Sequence, residues 1–286
     1  MGTDVTVSAP GAARRVGPDA VRRVTLPAVW VASACFAFLF TRVVLSAGIL
    51  GADAHAYWLT GRHAHLYGPA PRHLDAFLYS PAFATLVWPL THLAWPLFLG
   101  LWVIAEATTF AWLLASLGWR WSVPLFVACT PELLLGNIYA FLALAAVVGI
   151  RHPSAWTFPL LTKLTPALGF VWFAVRMEWR SLGKAAVAAA AVVTGSVLLT
   201  PVAWAEWVRF LLYSDSEPRG VLYLRVAAAV LLTAFGARSN RTWLLAPAML
   251  LACPVLGGFF PFTLLAAVPR LLTAMTDRDD DAALAR

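Results

Sequence analysis

Long apolar runs constrain this chain more than any other feature. They fall at approximately 27–50, 79–94, 97–117, 121–132, 134–150, 155–175, 183–202, 221–237, 241–253 and 254–271. A membrane-crossing helix needs about 17–25 predominantly apolar residues, so most of these runs are long enough to cross. The 286 residues are 61% hydrophobic and only 12% charged, whereas a soluble domain carries about 25% charged residues. The reading is an all-α, polytopic transmembrane helix bundle of about 8–10 spans. The short runs 121–132 and 241–253 are expected to be half-helices, re-entrant pieces or spans supported by protein neighbours.

The formal charge of +7 does not point to nucleic acid. The basic residues sit mainly at the ends of apolar runs, where they set topology and meet lipid headgroups. Arg14 to Arg23, Arg176, Arg180 and Lys184, Arg238 and Arg241, and Arg270 and Arg278 share one side in this arrangement. That side is expected to be the cytoplasm. Loops 51–78 and 203–220 then face outward, with Arg120 and Arg151 on the outer side against the rule. Residues 1–26 are expected to be a disordered cytoplasmic N-terminus, 27–272 one membrane domain and 273–286 a cytoplasmic tail. The run from Pro27 to Leu50 is too long for a cleaved leader and lacks a small-residue cleavage site after it.

Cys35, Cys129 and Cys253 lie far apart inside apolar runs, which suits packing rather than a disulfide or metal site. His63 and His65 do not share a helix face, and no third ligand stands at a suitable spacing. No metal and no cofactor is expected.

The first outer loop carries the chemistry. Asp53 opens it directly after the first run, and a carboxylate beside lipid is costly enough to invite a functional reading. His55, His63, His65, His73, Arg62, Arg72 and Asp75 follow, with Tyr57 and Trp58 interleaved. If residues 53–66 form an interfacial helix, Asp53 and Tyr57 share a face at i and i+4, with Thr60 and Gly61 leaving room for a ligand. There a carboxylate can take a proton from a sugar hydroxyl while aromatic rings stack on the sugar. An equally open reading makes Asp53 the N-cap of that helix.

Three of the charged groups within apolar runs draw a functional reading. Lys163, in Lys163-Leu164-Thr165-Pro166, is costly at membrane depth and suits a cavity or a lipid phosphate. Arg42 in the first run poses the same question, and either cation has a snorkelling alternative. Glu106 is a possible neutralising partner, with a buried structural role the favoured one. Gly136-Asn137 follows the Pro131 break and suits a close helix approach or a ligand contact.

Asp53-x3-Tyr57, Gly61, Leu66-Tyr67, Tyr79-Ser80-Pro81, Pro89-Leu90, Gly136-Asn137 and Lys163-x-x-Pro166 occur in that order. The ordered set resembles the polyprenyl-phosphate-mannose-dependent mannosyltransferases of glycosyltransferase family 87, of GT-C architecture. Ser80 and Asn137 stand where the family pattern has proline and glutamine, and the chain is short for the family. The resemblance implies a short or divergent member in which Asp53 is the catalytic base and Lys163 a contact for the donor phosphate. Arg42 and Arg62 are further candidates for that phosphate; Tyr57, Trp58, His55, Tyr79 and Asn137 are candidates for sugar or acceptor. The implied partners are a polyprenyl-phosphate sugar donor, a glycolipid or glycan acceptor of the cell envelope, and membrane lipids. The implied site is the extracytoplasmic face of the plasma membrane.

In that mechanism Asp53 deprotonates an acceptor hydroxyl as its oxygen attacks the anomeric carbon. Polyprenyl phosphate leaves toward the cations. One carboxylate and a single displacement predict inversion; retention would need a second carboxylate, for which Asp75 is available. No Gly-rich nucleotide loop is present, in keeping with a lipid-linked donor. Two rivals are a lipid or solute transporter, which should show paired halves that the sequence lacks, and a non-catalytic subunit of an envelope-building complex.

Overall fold

In lipid every backbone amide and carbonyl must find a partner within the protein, and a helix satisfies them segment by segment. The computed structural model describes residues 18–63, 65–69, 73–213, 219–256 and 259–273, and among them there is no strand. The first long run is α1, Pro18–Ala47. The short α2, Ala52–Leu59, and α3, Pro81–Thr91, precede α4, Trp95–Leu114. Then come α5, Trp119–Ala128, α6, Thr130–Leu135, and α7, Tyr139–Val148. After α8, Thr157–Thr162, and α9, Gly169–Val175, a long α10 spans Trp179–Leu199. The chain closes with α11, Pro201–Tyr213, α12, Arg219–Arg238, α13, Leu245–Ala252, and a 3-10 stretch, Phe260–Ala267.

Among the described residues four helices are long and apolar enough to cross a membrane: Val24–Ala47, Trp95–Leu117, Trp179–Leu199 and Gly220–Arg238. The remaining apolar length is divided among shorter helices, as an all-α membrane bundle with broken elements. The expected tails fall largely outside the described residues, which omit 1–17 and 274–286. Helix α1 already begins at Pro18.

Two ends of the bundle are distinguished by what gathers there. At the basic end, Trp30 donates to the Arg120 carbonyl at 3.0 Å, and Arg270 donates to the Trp112 carbonyl at 2.8 Å. Arg176 donates to the Ala237 carbonyl at 3.0 Å. Arg151 shares one cavity with Arg270 and another with Lys184. Arg120 and Arg151, expected on the opposite side, therefore belong with the other cations. At the other end, Gly51 donates to the Leu134 carbonyl at 2.7 Å and His55 meets the Trp95 ring at 4.8 Å.

Two expected spans explain that change. The run 79–94 forms only the eleven residues of α3, about 16 Å long against a hydrocarbon core of about 30 Å. Pro81 starts it and Pro89 lies in its last turn, where it offers no amide to the Thr85 carbonyl. Both its ends are tied to the first loop: Tyr79 to Tyr57, and the Thr91 carbonyl to Arg62.

The run 155–175 is likewise not one span. Helix α8 stops at Lys163, Leu164 adopts φ +51°, and Thr165 donates to the Ala252 carbonyl at 2.5 Å. Pro166 has no amide with which to resume α8, and α9 begins at Gly169. The residues before α8 and those after α9 both lie at the basic end, through Arg151 and Arg176. Helices α8 and α9 thus form a hairpin whose tip is Lys163. Trp156 closes it from within, and a Cβ at Gly169 would run into that ring.

Candidate functional site

The site is assembled from three turns at the end opposite Arg120, Arg151, Arg176 and Arg270. Helix α2 supplies Asp53 and Tyr57 at i and i+4. The N-cap is Gly51, with no side-chain capping bond, so Asp53 is the second residue of the helix, in its first turn, and is not its cap. Its carboxylate accepts from Asn137 Nδ2 at 2.7 Å.

Asn137 is buried and held by its own turn: its Oδ1 accepts from the Ile138 amide at 2.8 Å. The preceding Gly136 has φ +69°, and a Cβ there would lie 2.5 Å from that of Ala54. Only glycine gives both the left-handed backbone and the close approach to α2. Glu132 fixes the far side of the turn, accepting from the amides of Tyr139 at 2.5 Å and Ala140 at 3.2 Å. These are first-turn donors of α7, which lack partners within the helix.

The hairpin tip brings Lys163 to the same place. Its Nζ lies 4.4 Å from the centre of the Tyr139 ring and 5.3 Å from that of Tyr79. The Tyr79 hydroxyl is 2.9 Å from that of Tyr57. Lys163 is close enough for its charge to act on Asp53. Burial pushes the Asp53 carboxyl above the usual carboxylate range, and the Asn137 bond and the Lys163 charge pull it partly back. Burial also raises the Tyr57 phenol well above its ordinary value, so it remains a neutral O–H. Phe83 and Trp102 pack on Tyr57 at 5.1 and 5.3 Å and line an adjoining apolar cavity of about 470 Å³.

The structure does not bring every expected residue here. The Arg62 guanidinium lies 3.5 Å over the Trp58 ring and donates to the carbonyls of Trp58, Thr91 and Leu93. Its fork is occupied by the α2–α3 junction. Arg42 is exposed on α1. Trp58 donates to the Leu93 carbonyl at 2.9 Å, and His55 pairs with Asp75 at 2.6 Å while stacking on Trp58. Asp75 is therefore engaged away from Asp53. The room expected beside Gly61 is filled by Thr91, and α2 ends at Leu59 rather than Leu66. Glu106 is buried and accepts from Trp102 Nε1 at 3.0 Å, the structural role favoured for it.

Two charged groups of this region were not singled out from sequence. Glu132 is fully buried. Arg225 donates to the carbonyls of Cys253 and Pro254 at 2.9 and 3.0 Å. The Cys253 thiol feels both Lys163 and Arg225, which puts a second cation behind the hairpin tip. The signal was present: each interrupts an apolar run, the cost argument that picked out Lys163. No group of His, Cys, Asp or Glu among the described residues has the arrangement of a metal site.

No curated protein and no solved structure matches this chain. Residues 77–285 match the description of glycosyltransferase family 87. That stretch holds Tyr79, Asn137 and Lys163, while Asp53 and Tyr57 precede it and join the site through contacts with its residues. Covering nearly three quarters of the sequence and all but one turn of the site, the match makes the chain a member of glycosyltransferase family 87.

Proposed function

We propose that this glycosyltransferase moves a sugar from a polyprenyl-phosphate donor to a hydroxyl of an envelope glycolipid or glycan, with Asp53 as general base. The carrying observation is the pairing of Asp53 with Asn137 beside the Lys163 amine. A carboxylate raised by burial is a stronger base than a solvated one. The acceptor O–H gives its proton to Asp53 as the oxygen forms a bond to the anomeric carbon. The bond from that carbon to the phosphate oxygen breaks, and the electron pair leaves with polyprenyl phosphate.

Lys163 faces the leaving phosphate and stabilises its growing charge, with Arg225 as the second cation. Such preorganised charge is often the largest contribution to a rate enhancement. Arg42 and Arg62 have no part in this, since one is exposed and the other is committed to three carbonyls. The single displacement inverts the anomeric centre. The apolar cavity against Phe83 and Trp102 suits part of the prenyl chain.

Gathering of Arg120, Arg151, Arg176, Lys184 and Arg270 at the end opposite the site supports an extracytoplasmic site in the plasma membrane, while Arg62 and Arg225 at the site end are held by carbonyls. Mannose, the sugar implied by the resemblance, is the first donor to test. In membrane vesicles supplied with radiolabelled polyprenyl-phosphate mannose, the wild-type protein labels a glycolipid or glycan fraction, and Asp53→Asn abolishes that labelling at normal protein levels. Labelling by Asp53→Asn at the wild-type rate rules out the general-base role.

A further inference from the structure

We infer that Tyr139 is a positioning residue for this reaction, its ring holding the Lys163 amine while the same turn of chain holds Asp53. The inference rests on the transfer mechanism proposed above and adds to it what sets the spacing of base and cation.

Lysine is a poor anchor by itself. Its ammonium ends a flexible four-carbon stem, and fixing that stem costs conformational freedom. Thr165 holds the backbone of the hairpin tip by donating to the Ala252 carbonyl, which leaves the Lys163 side chain to its neighbours. Those neighbours are aromatic: Nζ lies 4.4 Å from the centre of the Tyr139 ring and 5.3 Å from that of Tyr79. Both phenol oxygens reach the amine as well. A ring face attracts a cation without neutralising it. The ammonium therefore keeps its charge and its N–H bonds for a phosphate, which a tightly paired carboxylate would contest.

Tyr139 is itself fixed from three sides. Its amide donates to Glu132 Oε1 at 2.5 Å, its ring meets that of Phe260 at 5.8 Å, and its hydroxyl reaches the Cys253 thiol. Two residues earlier Asn137 donates to Asp53, and Gly136 abuts Ala54 of α2. One turn thus grips both reacting charges, Asp53 through Asn137 and Lys163 through Tyr139. Tyr79 is the weaker hold, because its ring is farther from the amine and its hydroxyl is engaged with Tyr57.

Lys163 and Lys184 are the only lysines of the chain, which allows a readout that needs no donor. Full-length protein in detergent, grown on lysine labelled with carbon-13 at Cε, gives two signals, and Lys184→Arg assigns them. The Tyr139 ring current should shift the Lys163 Cε protons upfield of those of Lys184. Tyr139→Phe should keep that shift. Tyr139→Leu should lose most of it, as should Tyr139→Met, which fills more of the ring's volume and guards against collapse of the turn. With polyprenyl-phosphate mannose as the varied donor, Tyr139→Leu should lower kcat about tenfold to thirtyfold and leave donor KM nearly unchanged. Tyr139→Phe should stay close to wild type. In a Lys163→Met background Tyr139→Leu should cost no further activity, since its effect passes through the amine. An unshifted Lys163 signal in the wild type, or losses from Tyr139→Leu and Lys163→Met that multiply in full, overturns the positioning role. Transfer by a wild type with an unshifted signal sinks that role alone; a shifted signal without transfer sinks the mechanism above and the role with it.

Discussion

Asn137 Nδ2 meets Asp53 Oδ2 at 2.7 Å across 84 positions of sequence. The bond orients a carboxylate whose helix is only eight residues long. A short helix cannot hold a reacting group rigidly by itself, so the amide fixes the oxygen that remains free for an acceptor. Hydrogen bonds to charged groups are worth about 1.5–3 kcal/mol. Asn137→Ala should therefore lower transfer about tenfold to a hundredfold. Asn137→Gln, which restores the amide of the family pattern, should recover most of the rate. Equal loss in both variants would place the importance of Asn137 in packing instead.

The protonation of Asp53 gives a pH dependence of definite sign. Burial raises its pKa, whereas Asn137 and Lys163 lower it. Below the resulting midpoint the carboxyl carries its proton and cannot act as a base. The rate should climb with pH through a midpoint above the ordinary carboxylate range, and Lys163→Met should move that midpoint higher. The stability term runs the other way. A carboxyl with a raised folded-state pKa favours folding most below its unfolded value, and that contribution is lost as pH climbs through the raised value. Rate–pH profiles of residual activity in the two proteins check the first claim; thermal unfolding of wild type against Asp53→Asn checks the second.

Lys163 and Arg225 should separate by what they do to the donor. Lys163 stands at the tip of the hairpin among aromatic rings, whereas Arg225 already holds two carbonyls. Lys163→Met should cut kcat strongly, because the leaving charge grows in the transition state. Arg225→Gln should chiefly raise KM for the lipid-phosphate donor. Steady-state kinetics with varied donor at saturating acceptor resolve the two. A variant of Arg225 that altered only acceptor KM would remove that arginine from the phosphate.

Much of this site was legible because polar groups are conspicuous against apolar sequence. Asp53, Tyr57 and Lys163 were readable from position and type, Asn137 as one of two readings of its turn and Tyr79 through the resemblance, and the structure gathers all five. The path of the chain was harder to read. Hydropathy gives apolar length but not direction, so α3 looked like a crossing although it runs for only eleven residues. The hairpin of α8 and α9 looked like one span because Leu164 and Pro166 are apolar while they break the helix. Once those two segments cease to cross, Arg120 and Arg151 change ends and join Arg176, Lys184 and Arg270. Arg62 was misjudged for a different reason. A guanidinium reaches several carbonyls within its own neighbourhood, and sequence does not show which will be close.

Glu132 provides the sharpest separation of scaffold from chemistry. Its Oε1 accepts from two amides at the head of α7, and its Oε2 has no hydrogen-bond partner among the described residues. The amides need an acceptor oxygen, which a glutamine side chain also offers. Glu132→Gln should therefore keep the fold and the position of Asn137, with thermal unfolding close to wild type. Glu132→Ala leaves both donors buried without a partner, at a cost of about 1–3 kcal/mol for each. It should unfold at clearly lower temperature and lose transfer as the 136–139 turn relaxes away from Asp53. If Glu132→Gln is stable yet as inactive as Asp53→Asn, the negative charge of Glu132 acts in the reaction, and the turn is not its main purpose.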